Sequence, residues 1–234
     1  MCLAEKSLEF VSVRLDGLRF EQYSPRFLAI NPAGQVPVLV HDGRVITEST
    51  VINEYLDEVF PQPPLRPADP YLRARMRIWT KFVDEYFCPA LTVLGSHAAR
   101  HSAGQIPKDE LERVLSRIPL EEVRRKWATI AGESYSEQEL AEARRRLGVC
   151  VRRLDLALAQ ARWLAGEDYS LADIDVFSMA ISLPRFVPEH ASASLVPHLM
   201  RWHDAMRARP RLRALMQAYA KRPSPPWARA TLDS

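Results

Sequence analysis

The sequence has little glycine, little cysteine and no long apolar run. Its eight glycines form neither a GxGxxG nor a GxxxxGK[ST] motif, which argues against a glycine-rich phosphate-binding loop. Three cysteines lie far apart without a CxxC pair, as is typical of proteins from a reducing cytoplasm. No stretch reaches the ~18 apolar residues of a membrane helix. Residues 1–10 carry three charged side chains where a signal peptide has an apolar core. We therefore expect a cytoplasmic protein with no membrane partner.

The chain is otherwise rich in apolar and charged residues, at 47% and 26%, as expected for a folded protein of one or two domains. Residues 1–66 carry six basic and nine acidic side chains, a net charge of −3. The remaining residues carry a net charge of +6, which gives the total of +3. This change coincides with a proline-rich stretch, residues 61–67. We predict a domain over 1–62 and a second domain over 68–225. Mixed Arg and Glu residues such as 142–153 indicate solvated helix faces, so no nucleic-acid partner is expected.

The first predicted domain combines strands and helices. Residues 8–15 alternate apolar and polar side chains, which predicts a strand. Residues 36–40 and 44–47 are apolar runs on either side of His-Asp-Gly, which predicts a β-hairpin. Residues 48–60 space their apolar side chains at helical intervals. Together these elements predict a small α/β unit.

The second predicted domain is helical throughout. Apolar side chains recur at helical spacing, and the predicted helices cover 69–101, 136–163, 170–183, 195–209 and a last one to about 221. Ser170 and Asp173 have the spacing of a capping box at a helix start. We therefore expect this motif to serve folding and not ligand binding.

Three motifs stand in order along these domains. They are NPAGQVPVL at 31–39, TEST at 47–50, and WLAG at 163–166 followed by SLADI at 170–174. In this order, and across an α/β and then an all-α region, they resemble the cytosolic glutathione transferase family. The resemblance implies a thioredoxin-like N-terminal domain, an all-α C-terminal domain and glutathione as co-substrate. It covers nearly the whole chain.

The resemblance also implies which residues bind glutathione. Val36 would pair with the peptide through its backbone, and the Val36–Pro37 bond would be cis. Gln35 would contact the ligand backbone, Glu48 would bind the γ-glutamyl ammonium, and Ser49 would bind the carboxylate at a helix N-terminus. The alternative is structural: Pro37 starts a strand and the Glu-Ser pair caps a helix. That alternative does not account for the upstream Gln-Val-Pro.

Longer strings, at 47–52, 65–70 and 76–88, resemble one bacterial branch, the β-aryl etherases that act on lignin-derived ethers. A segment at 105–135 resembles the same branch. The implied reaction is attack by the glutathione thiolate on the carbon that bears an aryloxy group, with release of a phenol. The resemblance implies a homodimer and a small aromatic substrate. Tyr86 would line the substrate cleft, with packing in the core as the open alternative.

The family's catalytic Ser, Tyr or Cys follows a first strand that lies upstream of a sequence like residues 2–6. We therefore expect this chain to lack the first strand, and we expect Met1 to be internal in a longer protein. The resemblance assigns the catalytic role to no residue of this chain. Cys2 would fall within a helix and is predicted to be structural.

The alternative function is a binding or interaction protein of impaired activity. His97 and His101 share a spacing seen in zinc sites, but no further ligand follows, so no metal is predicted.

Overall fold

The computed structural model describes residues 1–17, 19–103, 108–118, 120–121, 123–124, 127–128 and 135–220. Parts of the predicted branch segment 105–135, and the expected helix end at 221, lie outside these residues. Within them, most of the chain is helical. The helices are α1 (Cys2–Glu5), α2 (Pro25–Leu28), α3 (Ser49–Val59), α4 (Pro70–Phe82), α5 (Cys88–Ala103), α6 (Lys108–Leu115), α7 (Glu137–Leu158), α8 (Leu171–Ala180), α9 (Leu183–Phe186), α10 (Pro197–Ala208) and α11 (Pro210–Ala220).

The predicted hairpin is present. Strands β1 (Val38–His41) and β2 (Arg44–Thr47) pair antiparallel, with Val38 opposite Thr47. Asp42 and Gly43 make the turn with φ angles of 50° and 74°. Positive φ at both central residues is the geometry that matches the twist of a two-residue hairpin. The local sequence therefore determines the register of the hairpin.

The prediction of a strand over residues 8–15 is wrong. These residues form no regular element, and the sheet of the described residues contains only β1 and β2. The side chains of Val11 and Val13 are 91% and 79% exposed. An alternating pattern becomes a strand only where a neighbouring backbone pairs with it and a core covers one face. Neither is present for this segment among the described residues.

The chain forms two compact units. The first comprises Met1–Phe10, Asn53–Leu94 and the described residues from Gln138 onward. The second comprises Val11–Ile52 and the described residues between Gly95 and Glu137. The predicted domain bounds of 1–62 and 68–225 remain a prediction. Within the described residues, no helix combines the length and apolar character needed to cross a membrane.

The first unit is built around α4, α7, α8 and α10, whose inward side chains are buried. Examples of this core are Met76, Phe87, Leu147, Leu154, Phe177 and Trp202. The predicted helix over 69–101 is present as α4, a π-helical turn at Val83–Phe87, and α5. Asp69 caps α4 by accepting the Leu72 N–H at 2.8 Å. The Asp173 carboxylate accepts the Ser170 N–H at 3.0 Å, as the capping box predicts.

The second unit has a core cluster of its own. Phe20, Tyr23, Val114 and Ile118 are buried, and Leu28, Leu111, Leu115, Val123 and Trp127 pack against them. The cluster thus joins residues before the hairpin to residues of the segment that resembles the etherase branch. Hydrophobic packing between segments so distant in sequence could not be inferred from periodicity alone.

Candidate functional site

The five predicted glutathione-binding residues meet at the open end of the hairpin, in the second unit. The register Val38 opposite Thr47, extended by one residue, places Pro37 opposite Glu48. Gln35 and Val36 precede β1, and Ser49 begins α3 directly after the hairpin. All five side chains are exposed. Their position leaves them open to a ligand.

A tight loop leads into β1. Asn31 is buried, and its Nδ2 donates to the Gln35 carbonyl at 2.8 Å while its Oδ1 accepts the Ala33 N–H at 3.1 Å. The predicted cis bond between Val36 and Pro37 is confirmed. Among the described residues, neither backbone polar group of Val36 has a hydrogen-bond partner. An exposed N–H and C=O on one residue are what an extended peptide needs in order to pair.

Glu48 has an unusual backbone conformation at the end of β2. Its φ angle is +66°, in the left-handed region that a non-glycine residue adopts at some cost. Its carbonyl accepts the Ile52 N–H at 2.8 Å, so Glu48 is the residue from which α3 starts. The carboxylate is exposed beside the positive end of α3, where Ser49 lies. The Glu48 carboxylate can accept from an ammonium, and the N–H groups at the start of α3 can donate to a carboxylate. Together they suit the two charged groups at one end of an amino acid.

Tyr86 lies in the first unit, on the π-helical turn at Val83–Phe87. Its ring is 58% exposed and stacks on Phe82, with ring centroids 6.1 Å apart. The Arg153 guanidinium lies 4.6 Å from the centroid of the Phe82 ring. Tyr86 is therefore exposed rather than packed in the core of this unit. Its contact with a substrate remains a prediction.

Cys2 is buried, as predicted, and its structural role remains a prediction. It lies in α1 with 2% exposure, and its Sγ contacts the Asn53 carbonyl at 3.9 Å. Burial raises the pKa of the Cys2 thiol to about 12. Such a thiol is almost wholly protonated at neutral pH and is a poor nucleophile.

Among the described residues, no group of His, Cys, Asp or Glu side chains could hold a metal ion. The side chain of His101 lies outside those residues.

Sequence reasoning missed two residues that shape the site. Asn31 supports the loop through the two hydrogen bonds described above, and the Asn-Pro pair at 31–32 is a turn signal that could have indicated it. Tyr23 packs behind the loop, but only the three-dimensional structure shows this contact. The sequence indicates the candidate binding residues more readily than the residues that pack behind them.

With this geometry in hand, comparison with known proteins identifies the class. Two family models match: the glutathione S-transferase N-terminal domain over residues 1–58 and the glutathione S-transferase C-terminal domain over residues 106–210. The chain belongs to the glutathione S-transferase family. It has that family's fold, a thioredoxin-like N-terminal domain and a helical C-terminal domain, and glutathione is the family's co-substrate.

Among individual proteins, the chain is similar to the protein LigF of Sphingobium sp. strain SYK-6. The two are 42% identical over 222 residues, which is 92% of this chain and 86% of that protein. The crystal structure of the β-etherase LigF superposes with a TM-score of 0.88, covering 93% and 92% of the two chains. A glutathione transferase homologue from Sulfitobacter, solved with bound glutathione, is 22% identical with a TM-score of 0.66 over 93% and 90% of the chains, and shares the fold.

Proposed function

We propose that the open end of the hairpin binds glutathione. Val36 pairs with the peptide backbone of the ligand, and Gln35 adds an uncharged donor and acceptor. The Glu48 carboxylate binds the γ-glutamyl ammonium, and Ser49 binds the γ-glutamyl carboxylate at the N-terminus of α3. The observation that carries the proposal is the left-handed Glu48, since its exposed carboxylate lies directly before that helix.

For the reaction, we propose glutathione-dependent cleavage of a small aromatic ether. The thiolate of glutathione attacks the carbon that bears the aryloxy group, so that a C–S bond forms and the C–O bond breaks. The electron pair leaves on the phenolate oxygen, which takes a proton from solvent. The similarity to the β-etherase LigF supports this chemistry. Tyr86 supports an aromatic substrate because its exposed ring, stacked on Phe82, could extend the stack to a further ring.

We propose a homodimer, as the family resemblance implies, and sedimentation measured over a range of concentrations would test it. We also propose a cytoplasmic location, which the three free thiols at Cys2, Cys88 and Cys150 support.

The competing function is glutathione binding without efficient turnover. It is favoured by the state of Cys2, whose buried thiol is unsuited to assist catalysis. The catalytic residue is unassigned. In a binding protein of this kind, bound glutathione keeps a thiol pKa near the ~8.5 of a free thiol. In an efficient transferase the bound thiol titrates about two pH units lower, because a hydrogen bond to the thiolate supplies about 1.5–3 kcal/mol.

The binding proposal predicts that Glu48→Ala weakens glutathione binding. Losing a hydrogen bond to a charged group costs about 1.5–3 kcal/mol, or roughly 10- to 150-fold in Kd. Titration calorimetry measures this directly. Glu189→Ala, which removes an exposed carboxylate in the first unit, is the control and leaves the affinity unchanged. Equal affinity in the wild type and Glu48→Ala contradicts the proposed site.

A second measurement separates the two functions. Release of a fluorescent phenol from an aryl ether, dependent on glutathione, supports the transferase. Tight glutathione binding together with an unshifted thiol titration and no phenol release supports the binding protein.

A further inference from the structure

We propose that Tyr23 is a positioning residue for the glutathione loop, and that Trp127 and the residues around α6 fix Tyr23 in place. The proposal rests on the proposed glutathione site and adds residues that touch no ligand themselves. It thus gives a role to the segment between α5 and α7 that resembles the etherase branch.

Tyr23 contacts the loop through Gly34. Gly34 has a φ angle of +64°, and a Cβ built on it would lie 2.5 Å from Cε1 of the Tyr23 ring. The ring is 3% exposed. Only glycine fits at this position, both because of its conformation and because of the ring behind it. The Tyr23 ring is therefore the surface on which the turn at Gly34 rests.

The turn at Gly34 is connected to the ligand-facing residues by hydrogen bonds. The Gly34 N–H donates to the Asn31 carbonyl at 3.0 Å, and Asn31 Nδ2 donates to the Gln35 carbonyl at 2.8 Å. Gln35 and Val36 follow Gly34 directly. A displacement of Gly34 away from the ring would therefore move the backbone groups of Val36.

Tyr23 is also held by Trp127 and by the cluster that contains Val114 of α6. Trp127 Nε1–H donates to the Tyr23 hydroxyl oxygen at 3.1 Å. The Trp127 ring packs edge-on against Phe20, with centroids 4.9 Å apart and an interplanar angle of 68°. Val114 and Ile118 complete this cluster around Phe20 and Tyr23. Contacts therefore link Trp127 and the cluster that includes Val114 of α6 to Tyr23, and Tyr23 to Gly34.

The test compares Tyr23→Phe, Trp127→Phe and the double variant by titration calorimetry with glutathione. Tyr23→Phe keeps the phenyl ring and removes the hydroxyl that accepts from Trp127, whereas Trp127→Phe removes the indole N–H that donates to it together with part of the indole ring. We expect Tyr23→Phe to raise the Kd by about 2- to 10-fold, the scale of one neutral hydrogen bond, Trp127→Phe to raise it at least as much, and the double variant to show no further loss beyond Trp127→Phe. Tyr71→Phe, at a tyrosine that is 70% exposed in the first unit, is the control and keeps the wild-type Kd.

A second readout distinguishes positioning from a general effect on folding. Because coupling is reciprocal, saturating glutathione should slow amide hydrogen exchange in residues 111–118 of the wild type, and Tyr23→Phe should lose this protection. A variant that melts at a lower temperature but keeps both the wild-type Kd and the protection overturns the proposal. If the wild type binds glutathione and every variant binds it with the same Kd, the positioning role of Tyr23 is overturned while the glutathione site stands. Absence of wild-type glutathione binding overturns both.

Discussion

At the scale of single residues, one carboxylate holds the end of the proline-rich stretch at residues 61–67. Asp57 is 4% exposed and accepts the Leu65 N–H at 2.8 Å and the Arg66 Nε–H at 2.9 Å. It also pairs with the Lys6 ammonium at 2.7 Å. Lys6, whose side chain is fully buried, donates further to the carbonyls of Phe60 and Pro63. The proline-rich stretch is thus attached both to Lys6, directly after α1, and to α3.

Asp57→Ala is predicted to destabilise the protein by about 3–5 kcal/mol, because it leaves the buried Lys6 ammonium without a counter-charge. Urea unfolding at neutral pH measures the change. Glu54→Ala provides the comparison, since it removes a bidentate ion pair with Arg77, whose side chain is 54% exposed, and should cost no more than about 1 kcal/mol. Equal losses in the two variants would show that burial of Lys6 does not govern the energetics.

A second buried carboxyl couples stability to pH. Asp175 is 4% exposed; one oxygen accepts from Asn53 Nδ2 at 2.6 Å, and the other has no hydrogen-bond partner among the described residues. Burial, with a smaller contribution from the carboxylates of Asp84 and Glu54, raises the pKa of Asp175 to about 7. The folded protein therefore retains a proton that the unfolded chain has already released.

The sign of the effect follows from this difference. The folded state binds more protons between pH ~4 and pH ~7, so the contribution of Asp175 to stability is largest below pH ~4 and is lost as the pH rises to about 7. Asp175→Asn removes this contribution, so the stability of the variant relative to the wild type should increase across that window. The measurement is the difference between the two urea-unfolding curves at several pH values. A constant difference from pH 4 to pH 8 would contradict the raised pKa.

At the scale of elements, the carboxylates of Asp173 and Asp69, both at helix starts in the first unit, differ in burial. Asp173 is fully buried and accepts from the Leu164 N–H, the Ser170 N–H and Trp202 Nε1, at 3.0, 3.0 and 2.8 Å. Asp69 caps α4 in an exposed setting with one such bond. Asp173 therefore joins the start of α8 to α10 and to the loop at Leu164, whereas Asp69 caps α4 alone.

The structure predicts unequal costs for removing these caps. Asp173→Ala leaves three donors stranded in the core and should destabilise by about 3–5 kcal/mol, whereas Asp69→Ala should cost about 1 kcal/mol. Thermal unfolding of both variants provides the comparison. A loss near 1 kcal/mol at both positions would show that the Asp173 network acts only as a local cap.

The elements also show what the sequence could and could not predict. The hairpin and the helices around it follow from local signals: the turn residues Asp42 and Gly43, and apolar spacing. The strand over 8–15 was wrong because its pattern is local whereas pairing is not. Tyr86 lies on the π-helical turn at Val83–Phe87, which no spacing rule indicated. The pairing of Lys6 with Asp57 depends on a long-range fold and is equally hidden.

At the scale of the whole molecule, the candidate binding residues were easier to predict than the residues that pack behind them. Gln35, Val36, Pro37, Glu48 and Ser49 were placed by motif and are found at one end of one hairpin. Tyr23 and Trp127 were not, because they are 104 residues apart in sequence and meet only in the fold. The motifs indicate the candidate binding residues, whereas the residues packed behind them come from distant segments.

The most direct test of the central claim is to map glutathione on the protein by its effect on backbone amide NMR signals. If glutathione binds at the open end of the hairpin, the largest shifts fall on the amides of Val36, Glu48 and Ser49, followed by Gly34 and Gln35, and they saturate with the Kd measured by calorimetry. Large shifts confined to residues outside the open end of the hairpin, or no saturable shift at all, would contradict it.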